Sequence, residues 1–123
     1  MAAGRWTLGL DIGNTLGVAF ARDEVIMRSE QIDLSRKGDL RQHRYAYFER
    51  WLKEIFSTGI REVYYEKVVS HTSKNPKTGR VSFNVEAAHT YGGYEGLLLM
   101  TADKFGIPCT GFPVGTLKLR YTG

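Results

Sequence analysis

Apolar and polar positions follow two different periods along the chain, and each change of period marks an element. Residues 7–20 form two short apolar runs separated by Gly13 and Asn14, which predicts a hairpin of buried strands. Asn14 after Gly13 suits a tight reversal built on positive φ. Residues 21–24 predict a second turn, and residues 25–34 a third strand that is wet on one face. Three strands joined by tight turns make an antiparallel meander, and residues 35–38 are a polar break. From 39 to 57 the period becomes helical: Leu40, Tyr47, Phe48, Trp51, Leu52, Ile55 and Phe56 recur at spacings of three and four. Asp39 is the expected N-cap and Gly59 the expected stop, with Arg41, Arg44, Arg50 and Lys53 on the solvated side.

Residues 60–66 predict a fourth strand and residues 68–80 a polar loop. Helical period returns over 84–104, with Ala87, Ala88, Tyr91, Gly92, Glu95, Leu98, Leu99 and Ala102 along one side. Gly92, Gly93 and Gly96 are costly inside a helix, so another backbone should approach there, either the chain's own sheet or a second subunit. Residues 107–112 predict a fifth strand, whose Pro108 suits a sheet edge, and residues 114–123 look like the start of a further element.

With 123 residues, 42% of them hydrophobic, the chain is expected to be one globular domain with a single core. No run reaches the length of a membrane span, and the first residues carry no apolar signal core. The single cysteine, Cys109, cannot form an internal disulfide and reads as a small core residue, which fits a reducing cytoplasm. Zinc ligation would require Cys and His clusters that the sequence does not have. A net charge of +4 permits a nucleic-acid partner without requiring one.

The chemistry is carried by two acids at strand ends. Asp11 closes the first apolar run and Glu66 closes the fourth strand. An acid among Leu, Ile and Gly in a buried sheet needs a cation, a donor or water. Asp11 either caps its own turn or belongs to a metal or phosphate site. A strand, a helix and a returning strand form a parallel pair with a right-handed crossover, which would set Glu66 beside Asp11 at one sheet edge. Paired carboxylates suit magnesium, and two such ions can activate water and stabilise the leaving oxygen of a phosphodiester. The cations of the 68–80 loop are either ordinary solvated charges or an arm that lies on a phosphate backbone.

The order of elements is that of a ribonuclease H-like α/β domain: a mixed five-stranded sheet, order 3-2-1-4-5, with flanking helices. The sequence resembles the RuvC-type Holliday-junction resolvases, particularly their phage and virus-like relatives, over nearly its whole length. The resemblance rests on Leu8-Gly9-Leu10-Asp11-Ile12-Gly13 with Gly17-Val18-Ala19, on Tyr65-Glu66-Lys67, and on Tyr91-Gly92-Gly93-Tyr94-Glu95-Gly96. Residues 113–123 look like the approach to that family's last conserved block.

The resemblance implies an endonuclease that resolves branched DNA with Mg²⁺ or Mn²⁺. Asp11 and Glu66 would be its catalytic metal ligands. It also implies a homodimer, for which the glycine-bearing 84–104 helix is the candidate contact. His71, Lys74, Lys77, Arg80, Lys118 and Arg120 are the candidate DNA contacts, from charge and position. Two further ligands of the family, on a C-terminal helix, have no counterpart here, and Glu95 and Asp103 do not match them. The expectation is therefore a domain without that helix, which binds branched DNA and cleaves it poorly or not at all. Two rivals stand beside this reading. One is a non-catalytic nucleic-acid-binding module; the other is an actin-like or sugar-kinase ATP-binding domain, in which the Gly-Asn-Thr turn would cradle phosphates.

Overall fold

The computed structural model describes residues 4–37, 40–68 and 72–113. Three strands, β1 (Trp6–Asp11), β2 (Thr15–Arg22) and β3 (Val25–Asp33), form the antiparallel meander. A 3-10 turn over Leu34–Lys37 occupies the stretch expected to be a plain break. Helix α1 (Arg41–Phe56) leads into β4 (Ile60–Lys67), which returns parallel to β1. A hairpin of β5 (Thr72–Lys74) and β6 (Val81–Phe83) precedes helix α2 (Val85–Lys104). Strand β7 (Cys109–Pro113) closes the sheet parallel to β4, giving the order β3-β2-β1-β4-β7. The fifth strand of the expected order is β7, so the predicted sheet and all its directions are found.

One sheet face is buried under the two helices. Leu8 and Leu10 of β1, Val18 and Phe20 of β2, and Val63 and Tyr65 of β4 stand opposite one another in register and are buried. Phe48, Leu52 and Phe56 of α1 and Tyr94, Leu98 and Ala102 of α2 complete that core. Each fully buried side chain of this size contributes roughly 1.5–3 kcal/mol.

Several local expectations are corrected. The β1–β2 turn does not use positive φ at Gly13 or Asn14; the left-handed residues lie in the next turn, at Asp23 (φ 50) and Glu24 (φ 70). Two such residues match the twist of a two-residue hairpin, and Asp23 is held there by its side chain, which accepts from the Arg5 backbone N–H at 3.1 Å. Leu40 is exposed rather than on the core face, because it is the extended N-cap of α1 (φ −94, ψ 143) and precedes the first helical residue. The expected cap Asp39 lies outside the described residues, and Leu40 offers no side-chain cap.

On α2 the buried row is Thr90, Tyr91, Tyr94, Leu98, Thr101 and Ala102, while Gly92 and Leu99 face outward. The buried face is thus turned by about one residue from the predicted stripe, because α2 must meet α1 at Gly93. There Tyr45 lies so close that an added Cβ would overlap its ring and hydroxyl. Gly92 and Gly96 have nothing within 4 Å of such a Cβ. Asn84 caps α2 by accepting from the Ala87 N–H at 2.9 Å. The helix ends at Gly106 (φ 67), with Ile107 N–H bonded to the Ala102 carbonyl at 2.9 Å. No helix among the described residues is long and apolar enough to cross a membrane.

Candidate active site at the strand ends

The parallel β1–β4 ladder ends at the pair Leu10 and Tyr65, and Asp11 and Glu66 are the next residue of each strand. Side chains alternate along a strand, so both acids fall on the face opposite the Leu10–Tyr65 core. Asp11 also pairs with Gly17 across the β1–β2 ladder. A Cβ at Gly17 would stand 3.2 Å from the Asp11 Cβ, so glycine gives the acid room on that face. Glu66, in register with Phe112 of β7, is only 8% exposed, whereas Asp11 is exposed. One buried and one open carboxylate therefore share the C-terminal edge of two adjacent central strands.

Helix α2 supplies the supports. The Tyr91 hydroxyl donates to the Glu66 carbonyl at 3.2 Å and accepts from the Val68 N–H at 3.0 Å. Its ionisation is shifted upward, chiefly by burial, and the negative charges of Glu95, Asp11 and Glu66 add to the shift. One hydroxyl thus feels both strand-end acids. The Tyr94 hydroxyl donates to Asn14 Oδ1 at 3.1 Å, and the Arg44 guanidinium reaches the same oxygen at 3.5 Å. The Asn14 carbonyl accepts from the Leu34 N–H at 2.6 Å and the Ser35 N–H at 3.3 Å. Asn14 thereby ties the turn after Asp11 to both helices and to the end of β3. The Tyr65 hydroxyl donates to Glu95 Oε2 at 2.8 Å, so Glu95 is engaged on the core side of the sheet. A cavity of about 430 Å³ opens beside these groups, between Gly13 and Asn14 of the turn, Val68 of β4's exit, and Asn84, Thr90 and Tyr91 of α2.

Arg41 and Arg44 were expected on the solvated side of α1, and neither is there. Arg41 is half-buried and paired with Glu86 of α2, and the Arg44 Nε is buried with no hydrogen-bond partner. The two helices lie side by side, from Arg41–Glu86 at one end to Phe56–Phe105 at the other, and their facing first turns pull both cations inward.

Lys74, Lys77 and Arg80 stand exposed on the β5–β6 hairpin, where a polar loop was expected over 68–80. Asn75 builds its tip: its side chain accepts from the Lys77 N–H at 2.8 Å, and its carbonyl from the Gly79 N–H at 2.8 Å. Gly79 supplies the left-handed residue (φ 73). His71, Lys118 and Arg120 lie outside the described residues. The supporting residues Asn14, Arg44, Tyr91 and Tyr94 were not predicted as part of the site. Asn14 is legible only as a turn residue, and the tyrosines only as a pair one helical turn apart, flanking the glycines.

The donor set fits a hard divalent cation. Magnesium takes oxygen ligands and keeps several waters, and two carboxylates on adjacent strand ends are donors of that kind, with most of the coordination left to water. Among the described residues no group of three or more His, Cys, Asp or Glu is placed to hold a metal ion.

No protein-family model matches the sequence, and no curated protein sequence matches it either. Among solved structures, Thermus thermophilus RuvC in complex with a Holliday junction substrate superposes with a TM-score of 0.68 at 17% identity. That match covers 94% of this chain and 68% of that one. A second structure of Thermus thermophilus RuvC gives 0.62 at 18% identity, covering 88% of this chain and 63% of that one. The chain therefore spans about two-thirds of the RuvC length. At this identity the likeness speaks for architecture, and the chain has the ribonuclease H-like fold of RuvC.

Proposed function

We propose that this chain is a divalent-metal-dependent endonuclease domain that acts on branched DNA, with four-way junctions as its substrate. The observation that carries the reading is the placement of Asp11 and Glu66, one residue beyond the last pair of the β1–β4 ladder and on the same sheet face. Its support from the fold is the likeness to RuvC, one of whose structures holds a Holliday junction.

Asp11 and Glu66 would hold Mg²⁺ or Mn²⁺, which when bound supplies Lewis acidity at the scissile phosphodiester. Asp11, exposed at the strand end, is the carboxylate open to the solvent from which a hydrolytic water must come. Glu66, buried beside it, holds its position through a backbone pinned on both sides of Lys67 by Tyr91. Lys74, Lys77 and Arg80 would lie on the phosphate backbone of an arm of the junction, on the hairpin that follows in the chain the strand that carries Glu66.

Symmetric cutting of a junction calls for two subunits. The outward face of α2 is the proposed contact, since Gly93 is occupied by Tyr45 while Gly92 and Gly96 stay open beside exposed Val85 and Leu99. Sedimentation should show a dimer, and monomer alone at high concentration removes that contact.

A second reading, a module that binds junctions without cutting, is favoured by the two-carboxylate donor set. Cleavage of a four-way junction, assayed with Mg²⁺ against EDTA and with Asp11→Asn as control, decides between them. Cleavage that needs Mg²⁺ and is lost in Asp11→Asn establishes the nuclease; binding without metal-dependent cleavage establishes the module.

A further inference from the structure

We propose that Tyr91 and Tyr94 are a pair of positioning residues by which one helix sets the spacing of the Asp11 and Glu66 carboxylates. The proposal rests on the metal-site reading above and assigns a role to the tyrosine–glycine–glycine–tyrosine stretch, which that reading does not use.

The two tyrosines lie three residues apart on α2 and so share one face. Each sends its hydroxyl to a different strand end. Tyr91 reaches the exit of β4, donating to the Glu66 carbonyl at 3.2 Å and accepting from the Val68 N–H at 3.0 Å. A group that donates to residue i and accepts from residue i+2 does what a neighbouring strand would do. It acts just where β1 stops pairing, after Leu10 and Tyr65. Tyr94 reaches the exit of β1, donating to Asn14 Oδ1 at 3.1 Å, three residues beyond Asp11.

Past the end of the ladder no β1–β4 pairing fixes one carboxylate against the other. Beyond it β1 turns into β2 and β4 leads to the hairpin. The rod of α2 ties the two ends to one another, and that rod is held firmly. The Tyr94 ring is fully buried and sits edge-on to Tyr45 at 5.0 Å and to Phe48 at 5.4 Å. Tyr45 in turn lies against Gly93, between the two tyrosines, and donates to the carbonyls of His89 at 3.3 Å and Thr90 at 3.2 Å. Any side chain at position 93 would lift Tyr45 and with it the backing of the clamp. Magnesium accepts oxygen ligands at about 2.0–2.1 Å in near-ideal octahedral geometry, so a spacing error of a few tenths of an ångström between two ligands is felt directly. Partners bonded directly to metal ligands cost about 10- to 100-fold in metal affinity when removed, and Tyr91 and Tyr94 act one step further back, at the low end of that range, through the Glu66 backbone and the Asn14 side chain.

The alternative is that both hydroxyls only satisfy buried polar groups. Phenylalanine at each position keeps the ring and removes the hydroxyl, and Tyr64→Phe serves as control, because the Tyr64 hydroxyl donates to Glu62 Oε2 at 2.8 Å, back toward the start of β4. The readouts are Mn²⁺ affinity by calorimetry and amide hydrogen exchange residue by residue. The clamp predicts about tenfold weaker Mn²⁺ binding in Tyr91→Phe and in Tyr94→Phe, and unchanged binding in Tyr64→Phe. The double variant should bind little more weakly than either single one, since losing either prong frees the same spacing. Exchange should quicken at residues 66–68 in Tyr91→Phe and at residues 12–15 in Tyr94→Phe. Equal effects of all three variants on Mn²⁺ affinity, or unchanged exchange at both strand ends, overturns the proposal. A wild-type chain that binds no Mn²⁺ sinks the metal-site reading, and with it the role assigned to the clamp, even where exchange shows the two ends to be tied.

Discussion

Leu10 and Tyr65 face each other as the last pair of the parallel β1–β4 ladder, both buried, and the two strand-end acids follow them by one residue each. The pairing that buries Leu10 and Tyr65 on the helix side is what turns Asp11 and Glu66 to the other side together. A one-residue slip of register would send one acid into the core. Burial of an unpaired carboxylate is far more costly than the loss of a single apolar neighbour, so the core register protects the site geometry.

Gly17 is where that geometry is most easily disturbed without touching an acid. An added methyl would stand 3.2 Å from the Asp11 Cβ, closer than comfortable packing. Gly17→Ala should lower stability by about 1 kcal/mol or less, because the site is at a strand end and half-open. Mn²⁺ affinity should fall measurably in the same variant. Calorimetry and urea unfolding on one sample check both, and an unchanged affinity would mean that Asp11 is free to move aside.

The glycines of α2 should behave in opposite ways. Gly93→Ala drives a methyl into the Tyr45 ring and hydroxyl, and overpacking of this kind costs about 1–3 kcal/mol. Gly92→Ala meets nothing within 4 Å and should stabilise the chain by roughly 0.5–1 kcal/mol through helix propensity alone. Denaturant midpoints of the two variants should move in opposite directions.

Alkaline stability follows from three tyrosines. Burial raises the ionisation of Tyr65, Tyr91 and Tyr94 above the ordinary value of 10.0, with Glu95 adding to the first two. A folded-state value above the unfolded one means that the folded chain holds these protons more tightly. The stabilisation is whole below pH 10.0 and drains away as pH rises from there through the folded values. Thermal midpoints should therefore fall above pH 10.0, and more gently in Tyr65→Phe, which has no such proton to lose.

Cys109 is half-buried, and desolvation pushes its thiol up to about 12. The thiolate is the reactive form, so at neutral pH this cysteine should react with a disulfide reagent far more slowly than a free thiol. Unfolding in urea should restore the ordinary rate. Fast labelling of the folded chain would contradict the desolvation of Cys109 in the edge strand.

Neutralising Lys74, Lys77 and Arg80 together should weaken junction binding at low salt and flatten its salt dependence. Each duplex phosphate that a cation no longer neutralises takes about 0.9 off the log–log slope. An unchanged slope would place the hairpin outside the DNA interface.

The element order and the sheet were legible in the sequence because they depend on period. The short apolar runs of β1 and β2, the aromatic face of α1 and the short run of β4 each state a burial pattern that a single geometry satisfies. The crossover rule then places β4 beside β1, and Asp11 and Glu66 come together without any further information. Architecture and the pair of acids are therefore written in the apolar pattern. The residues that hold those acids are not, because such partners are set by where helices land. Asn14 has the look of a turn residue with positive φ and is instead the meeting point of Tyr94, Arg44, Leu34 and Ser35. Arg41 and Arg44 read as solvated because helical period assigns a face but not the neighbour on that face, and the crossing of α1 over α2 draws them in. The β5–β6 hairpin is hidden by its length, three residues to a strand, too short for alternation to show. Which glycine of α2 is packed and which are open depends on the helix crossing alone, since Gly92, Gly93 and Gly96 differ in nothing but the direction in which their absent side chains would point.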